Sequence, residues 1–429
     1  MGLVTRTLGE ICDEVGGIIR TGPFGSQLHQ SDYQDEGLPV IMPKDIVDGR
    51  VSVEGITRIG DKDIARLSQH RLQKGNIVYG RRGDIGRRAL ITEREAGWLC
   101  GTGCLRVSLG ESVLDPTFLY YYLGESKVIA WIYNQAIGAT MPNLNTSIIR
   151  RIPITYPPLP TQRKIAGILS AYDRLIENNT RRIEILEEMA RSIYREWFVK
   201  FRFPGHEQVQ MVDSELGLIP EGWEVKPLSD VCSRITDGSH WSPKTVDQGY
   251  PMASVKDMHN WGFHIEQCRK ISPEDYENLV KNHCKPFKND VLIAKDGSYL
   301  KHIFVIEKEL DMVILSSIAL LRPNEKIISH ILSLYLLEPS IKSRMAGYVS
   351  GVAIPRIILK DFRKFLIVVP PIDFQKKFFS LAEPMIINSY RLINKNDNLR
   401  QTRDLLLPRL ISGEIDVENL DINTGEIAA

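Results

Sequence analysis

The stretch Pro157-Pro158-Leu159-Pro160-Thr161-Gln162-Arg163-Lys164 returns later in the chain as Pro370-Pro371-Ile372-Asp373-Phe374-Gln375-Lys376-Lys377. Gln162 and Gln375 are 375 − 162 = 213 positions apart. In both places prolines close one segment and a long helical pattern begins. A repeat of half the chain is too long for a solenoid unit, whose periods are about 20–50 residues. The sequence therefore predicts a duplicated domain, each copy followed by a long helix.

Other landmarks keep nearly the same offset. Pro142, in the segment 138–143, matches Pro355, in the segment 350–356, since 355 − 142 = 213. Lys44-Asp45-Ile46 likewise matches Lys256-Asp257-Met258. Two similar domains on one chain indicate a protein that binds two similar ligands, or two ends of one ligand.

Each copy mixes short strands with helix. Leu38–Met42, Asn76–Tyr79 and Cys104–Ser108 are short and rich in β-branched residues, which is typical of strands. Pro116–Gln135 is predicted to be a helix, with proline near its start. The second copy repeats this plan, with a helix expected over 328–348. The fold class is predicted to be α+β, with two similar α/β domains.

The segment from Thr161 to about Phe201 is predicted to be one long helix with Thr161 as its N-cap. Apolar residues recur in it at strict spacings of three and four, the pattern of a coiled-coil seam. Asn179 lies in this seam, where a polar residue fixes register at some cost in stability. The predicted seam residues of the two helices are Leu169, Tyr172, Ile176, Asn179, Ile183, Leu186, Ile193, Met385, Leu392, Leu399 and Leu406.

The second helix has weaker alternate seam positions at Ser389, Asn396 and Arg403, so it is expected to depend on a partner helix. The order domain, helix, domain, helix allows the two helices to pair as an antiparallel coiled coil with pseudo-two-fold symmetry. Duplex DNA has the same local symmetry, which suits a target in two parts. An ordinary amphipathic helix lying on its own domain is the alternative.

Composition indicates a globular protein that works in the cytoplasm. Of 429 residues, 43% are hydrophobic and 25% are charged, and no apolar run approaches the roughly 18 residues that span a bilayer. The start of the chain lacks the pattern of a signal peptide, and six scattered cysteines favour reduced thiols. A net charge of +1 argues against indiscriminate coating of nucleic acid but allows a local basic patch.

Enzyme motifs are missing from the sequence. No glycine-rich segment ends in Gly-Lys-Ser/Thr, and no Asn/Asp-Pro-Pro-aromatic tetrapeptide of amino-methyltransferases is present. Cys100 with Cys104, and His264 with Cys268, have no second pair to complete a four-ligand zinc site. We therefore expect no catalytic residues and no metal in this chain.

The segments 219–225 (Ile-Pro-Glu-Gly-Trp-Glu-Val) and 406–415 (Leu-Leu-Pro-Arg-Leu-Ile-Ser-Gly-Glu-Ile), with the proline–glutamine entry to each helix, resemble the specificity subunit of type I restriction–modification systems. The resemblance covers essentially the whole chain. The first domain departs from it, because Thr7–Ile11 lacks the Pro-Glu-Gly-Trp opening found at 220–223.

The resemblance implies a chain without catalytic activity whose two target-recognition domains each read half of a split sequence in double-stranded DNA. It implies that the helices set the spacing and dock two methyltransferase subunits, and that restriction–translocase subunits join them. S-adenosylmethionine, ATP and magnesium would then serve the assembled complex, with no cofactor on this chain and no membrane contact. The implied divisions are 1–156 and 204–369 for the recognition domains, 157–203 and 370–416 for the helical regions, and 417–429 for a tail.

The candidate DNA contacts fall in matched loops after the strands. Arginine forks suit phosphate oxygens and the O6/N7 edge of guanine, and small polar loops reach into grooves. The candidates are Gln27, Lys44, Arg81, Arg82, Arg87 and Asn143 in the first domain, and Ser239, His240, Lys244, Lys256, Lys295, Ser298, Lys301 and Arg356 in the second. Ordinary exposed turns and strand-end lysines remain the alternative for each of them.

Two other functions stay open at this point. A scaffold whose duplicated domains bind protein would fit the near-neutral charge, and a footprint on a split DNA site would exclude it. A nuclease with an unrecognised active site would cut DNA alone in the presence of magnesium. Trp197 and Phe198 are expected either to bind a partner or to pack on the junction that follows the first helix.

Overall fold

The computed structural model describes residues 2–25, 27–81, 86–135, 143–297, 300–351 and 355–422. It divides into two compact units, the first formed by residues 1–179 and 395–429 and the second by residues 180–394. Two long helices, α6 (Leu159–Tyr194) and α12 (Ile372–Ile411), each pass from one unit into the other. The domain limits predicted from the sequence stay a prediction beside this division.

The first unit contains twelve strands and five short helices among its described residues. The strands β1 to β12 are Val4–Thr7, Ile18–Thr21, Tyr33–Gln34, Leu38–Ile41, Ile46–Val47, Arg50–Val51, Thr57–Ile59, Ile77–Gly80, Arg88–Leu90, Leu99–Cys100, Cys104–Ser108 and Pro153–Tyr156. The helices α1 to α5 are Leu8–Glu14, Asp61–Arg66, Pro116–Tyr122, Ser126–Gln135 and Thr146–Arg150.

The second unit follows the same plan. Its strands β13 to β27 are Met211–Ser214, Gly217–Pro220, Glu224–Pro227, Cys232–Asp237, Tyr250–Ala253, Met258–His259, Gly262–Phe263, Arg269–Ile271, Val291–Ala294, Ile303–Val305, Val313–Ile314, Ile318–Pro323, Val349–Ser350, Arg356–Ile357 and Leu366–Val369. Its short helices α7 to α11 are Leu228–Val231, Pro273–Lys281, Ser329–Leu337, Pro339–Ala346 and Leu359–Phe362.

The two units share their sheet topology. The central sheet of the first has the order β2-β11-β8-β9, and that of the second has the order β16-β24-β21-β22. A second layer follows in both, with the order β10-β4-β7-β3 in the first unit and β20-β17-β23 in the second. In the first unit β4 has the parallel neighbour β10 and the antiparallel neighbour β7, and in the second unit β17 has the parallel neighbour β23 and the antiparallel neighbour β20. The predicted duplication is therefore confirmed, together with the mixed class of helix and sheet.

Both helices predicted within the domains are broken in two. Pro116–Gln135 divides into α3 and α4, because the buried Glu125 turns back to accept a hydrogen bond from the Lys127 amide at 2.9 Å and caps α4. In the second unit Pro339, which has no N–H to donate, starts a new helix after α9. The single-helix predictions for 116–135 and 328–348 were thus wrong at one turn each.

The first long helix begins earlier than predicted, and both long helices are clamped by the repeated glutamine. Helix α6 starts at Leu159, so Thr161 lies in its first turn and is not its N-cap. Gln162 is fully buried, and its Oε1 accepts the Asp115 amide at 2.9 Å while its Nε2 donates to the carbonyls of Val113 and Pro157. The same side chain therefore ties the helix to the loop before α3 and to the proline bracket.

Gln375 repeats this clamp in the second unit. It is also fully buried, and its Oε1 accepts the Ile328 amide at 2.9 Å. Its Nε2 donates to the carbonyls of Lys326 and Pro370, each at 2.8 Å. The stretch that predicted the duplication thus forms the same joint twice.

In the first unit, the beginning of α6 and the end of α12 run antiparallel and pair through polar side chains. Asn179 Nδ2 donates to Asn396 Oδ1 at 2.8 Å, and both side chains are buried. Towards the start of α6, Asp173 forms an ion pair with Arg403. Asn179 thus has a second asparagine as its partner in the seam. A buried pair of this kind favours one register of the two helices over others.

The seam of α12 differs from the prediction. Ser389 and Asn396 are almost fully buried, whereas the expected apolar positions are only half-buried. Each polar side chain has a partner, Ser389 through its bond to the Met385 carbonyl at 3.0 Å. Polar residues therefore occupy the middle of this seam, flanked by the half-buried Met385, Leu392, Leu399 and Leu406.

In the second unit, the end of α6 and the π-helical turn that follows it (Arg195–Val199) pair with the beginning of α12 through aromatic rings. Tyr194 and Phe198 both contact Phe378, with ring centroids 5.9 and 4.8 Å apart, and Trp197 contacts Phe374 at 5.2 Å. Phe198 also reaches Trp223 of the junction at 5.7 Å. Trp197 and Phe198 thus pack inside the unit, which was the alternative to partner binding.

Candidate nucleic-acid interface

Three of the predicted loops of the first unit converge at one end of its central sheet. The Gly22 amide donates to the Cys104 carbonyl at 3.0 Å, which ties the loop after β2 to the start of β11. The Arg81 amide donates to the Gly103 carbonyl, and Arg81 Nε donates to the Leu144 carbonyl at 3.0 Å. The described parts of the loops after β2 and β8 and the segment before α5 therefore form one surface, which we call the first loop cluster (residues 22–25, 27, 81, 86–87, 101–103 and 143–144).

The second unit forms the corresponding surface. The Gly238 amide donates to the Ile318 carbonyl at 3.2 Å, and the Lys295 amide donates to the Ser317 carbonyl at 2.9 Å. The Gly297 amide donates to the Pro355 carbonyl at 2.9 Å. We call this surface, as far as the structure describes it, the second loop cluster (residues 238–244, 295–297, 300–301, 315–317 and 355–357).

A glycine enables the same close approach in both clusters. A Cβ on Gly22 would lie 2.0 Å from the Gly101 carbonyl oxygen, and one on Gly238 would lie 2.1 Å from the Ile314 carbonyl oxygen. Neither position has room for a side chain, because the obstacle is backbone. Sequence reasoning omitted both glycines, although a glycine at the same place in two matched loops was a readable signal.

Each cluster presents one large exposed aromatic on a pinned loop. Phe24 is 56% exposed, and its amide donates to Gln27 Oε1 at 3.1 Å. Trp241 is 55% exposed, and its amide donates to Ser239 Oγ at 3.1 Å. Gln27 and Ser239, both predicted DNA contacts, thus hold the loop that carries the aromatic ring, and the rings themselves were not among the predicted residues.

Lys44 and Lys256 occupy equivalent short 3₁₀ turns beside the clusters. Both are exposed, and Lys44 Nζ lies 3.4 Å from the Gly55 carbonyl. The next residue anchors each turn, since Asp45 Oδ2 accepts the Met42 amide and Asp257 Oδ2 accepts the Ser254 amide, both at 2.8 Å. Burial raises the pKa of Asp45.

Lys295 is placed differently from the other predicted lysines. It is 5% exposed, and its Nζ lies 2.6 Å from Asp237 Oδ2. His240, whose side chain is largely exposed, approaches the same carboxylate at 3.3 Å. This placement favours a role for Lys295 in holding the 237–241 loop over direct contact with DNA.

The remaining candidates divide into exposed cations and one half-buried asparagine. The exposed cations are Arg87, Lys244, Lys301 and Arg356. Asn143 Oδ1 is buried and has no hydrogen-bond partner within the described residues. Arg82 and Ser298 lie outside the described residues, as does the segment 138–142 before Asn143.

Within the described ranges, no helix is long and apolar enough to cross a membrane. No three His, Cys, Asp or Glu side chains in those ranges are grouped as metal ligands would be. Burial raises the pKa of the Cys100 and Cys232 thiols to about 12, so both are neutral at pH 7.

Comparison with known proteins gives consistent matches along the chain. The family model of the type I restriction modification DNA specificity domain matches twice, over residues 2–188 and 220–398. The type I restriction enzyme MjaIX specificity subunit of Methanocaldococcus jannaschii is 27% identical over 400 residues, covering 91% of this chain and 89% of that protein.

A second specificity subunit and a solved structure also match this chain. The type I restriction enzyme HindI specificity subunit of Haemophilus influenzae is 22% identical over 428 residues, covering 82% of this chain and 89% of that protein. The crystal structure of the type I restriction–modification S subunit from M. genitalium superposes with a TM-score of 0.55 at 17% identity, covering 96% of both chains. That likeness concerns the fold.

Proposed function

The chain belongs to the type I restriction–modification DNA specificity family and is a specificity subunit, and from this we propose that each loop cluster reads one half of a bipartite DNA target. One observation carries the proposal. The two clusters share their backbone connections and differ in their side chains. Half-sites of different sequence need the same scaffold to hold different readers.

The clusters have the parts that reading a duplex requires. Exposed lysines and arginines supply phosphate contacts, which fix position without reading sequence. Phe24 and Trp241 supply apolar surface for a thymine methyl group or a base step. Both rings stand on loops held by side-chain hydrogen bonds, so little order is lost when DNA binds.

We assign the spacing between half-sites to α6 and α12. Helix α6 has 36 residues, which at about 1.5 Å each makes a rod of roughly 54 Å. Each rod is clamped to a recognition domain by a fully buried glutamine. A rigid joint is what a ruler between two reading surfaces needs.

Chemistry is assigned to other subunits. In this proposal the chain binds no cofactor and catalyses nothing, while methyltransferase subunits dock on the helical regions and restriction subunits join them. S-adenosylmethionine would serve methylation, and ATP and magnesium would serve restriction. The chain would act in the cytoplasm, bound to the DNA that the methyltransferase subunits mark.

Mapping methylated adenines across the genome, with and without this gene, tests the proposal. We expect one bipartite motif to disappear with the gene. Exchanging residues 1–156 for the corresponding domain of a relative is expected to change one half of the motif and leave the other half and the spacer intact. A change in both halves, or methylation by the isolated chain, would contradict the proposal.

A further inference from the structure

The first domain contains a buried arginine for which the described residues supply no carboxylate. Arg106 lies on β11 and is 8% exposed. Its Nη1 donates to the Arg71 carbonyl, which uses one of the five N–H groups of the guanidinium. Burying an unpaired cation is unfavourable, because the lost hydration is not replaced.

The neighbours of Arg106 add positive charge. Arg20 lies directly opposite it on β2 and is exposed, with Nη1 3.2 Å from Gln69 Oε1. His70 is 6% exposed, and its Nε2 has no partner within the described residues. Burial, then Arg20 and Arg106, lower the pKa of His70, and the neutral Cys100 thiol beside Arg106 supplies no countercharge.

The second domain acts as an internal control for this site. In its central sheet Thr236 pairs with Leu320, and Leu320 pairs with Leu292, just as Arg20 pairs with Arg106 and Arg106 with Val78. Leu320 is fully buried in an apolar cluster. The fold therefore does not need cations at these two positions.

The site lies beside the first loop cluster. Arg20 immediately precedes Thr21 and Gly22, and the Gly22 amide is bonded to Cys104, two residues before Arg106 on the same strand. Cys104 and Arg106 point to the same face of β11, as alternate residues of a strand do. The Arg106 side chain thus lies on the face of β11 that Cys104 shares, with Arg20 and Gln69 at the surface.

We propose that Arg20, Arg106 and His70 form a site for one phosphate of the DNA backbone, next to the half-site that the first domain reads. The inference rests on the proposed function and adds an asymmetry to it, since the second domain has no such site. Guanidinium N–H pairs match phosphate oxygens, and such contacts fix the register of a protein on the duplex. Arg106 contributes donors that are already ordered, and Arg20 contributes charge at the surface.

Two variants that take their residues from the second domain test the site. Arg106→Leu and Arg20→Thr introduce the residues that stand at the matching positions of the second domain. The complex with its methyltransferase partners is titrated with target duplex over a range of salt concentrations. We expect each variant to bind roughly tenfold more weakly and to lower the salt slope by about one unit. Lys127→Leu removes a remote exposed charge at the start of α4 and is expected to change neither quantity.

Scanning the duplex with single neutral methylphosphonates identifies the phosphate. Wild type is expected to lose affinity at one position beside the first half-site, and Arg106→Leu is expected to be insensitive at that position alone. A variant with the wild-type salt slope, or with unchanged sensitivity at every position, overturns the inference. Circular dichroism checks the fold, and Arg20→Thr repeats the test at an exposed position.

A free phosphate is the other source of the same chemistry. If inorganic phosphate raises the melting temperature of wild type but not of Arg106→Leu, and no position of the scan depends on Arg106, the assignment to DNA is overturned. Failure of the proposed function is distinguishable, because the wild-type complex would then prefer no bipartite duplex over a random one.

Discussion

The two recognition domains are most alike where each joins its long helix and most different where its loops converge. Gln162 and Gln375 are both fully buried and make the same three hydrogen bonds. Beside the loops, Arg106 on β11 corresponds to Leu320 on β24, and within the loops one domain presents Phe24 and the other Trp241. The joint to the long helix is therefore the same in both copies, whereas the reading surfaces have diverged. Substitutions at the two joints should change stability by equal amounts, and substitutions at the two sets of loops should change DNA binding by different amounts.

The largest effect is expected at the joint. Gln162→Ala and Gln375→Ala each leave buried amide and carbonyl groups unpaired, at a cost of about 3 kcal/mol in local opening free energy. Hydrogen exchange at residues 113–119 and 326–332 measures that free energy in each domain separately. The two variants are expected to agree within about 1 kcal/mol.

Gln401→Ala, at an exposed position of α12, serves as the control and is expected to stay within about 0.5 kcal/mol of wild type. A much larger effect at one joint than at the other would show that the two domains are not held in the same way.

Most of the fold could be predicted from the repeat itself. The offset between Gln162 and Gln375 was enough to predict two domains and two helices, because a clamp that uses every polar atom of a buried amide leaves no freedom in residue type. The helix breaks at Glu125 and Pro339 depended on local capping, which a periodic apolar pattern does not reveal.

The chemistry of the sites was harder to read from the chain. Lys295 and Lys256 look alike in sequence, but only Lys295 is buried against Asp237, a contact 58 residues away. Arg106 was missed because a single arginine within an apolar strand is ordinarily assigned to the solvent face. Asn396 was taken for a weak seam position because its partner, Asn179, lies on the other helix, whereas Ser389 bonds to a carbonyl one turn earlier in its own helix.

The second effect compares the polar and aromatic halves of the helix pairing. Asn179→Leu removes the hydrogen bond to the buried Asn396 Oδ1 and is expected to cost about 2 kcal/mol. The double variant Asn179→Leu/Asn396→Leu is expected to recover most of that stability, because both polar groups are removed together. Urea unfolding of the four proteins of the cycle measures the coupling.

If the unfolding free energies lost in the two single variants simply added in the double variant, the pairing of the two asparagines would be contradicted. The aromatic half, around Phe378, is expected to show no change in hydrogen exchange in any of these variants.

The third effect belongs to the exposed rings. Phe24→Ala and Trp241→Ala are each expected to weaken binding of the complex to its target by about 1 kcal/mol, or roughly fivefold. Phe24→Ala should relax discrimination only in the half-site of the first domain, and Trp241→Ala only in the other. Competition with duplexes changed in one half at a time gives the two numbers, and an equal loss in both halves would mean that the rings contact no single half-site.

The smallest effect is expected at Lys44 and Lys256, where the two domains are again alike. Both lysines are exposed on turns anchored by a buried aspartate, so Lys44→Ala and Lys256→Ala leave the fold intact. Each is expected to lower affinity a few-fold for every duplex and to reduce the salt slope by about one unit, without changing which bases are preferred. Titrations at several salt concentrations against target and random duplex separate these quantities. A change in base preference would contradict phosphate contact, because it would mean that these lysines contact base edges in the grooves. The turn that the two domains share would then take part in reading the sequence.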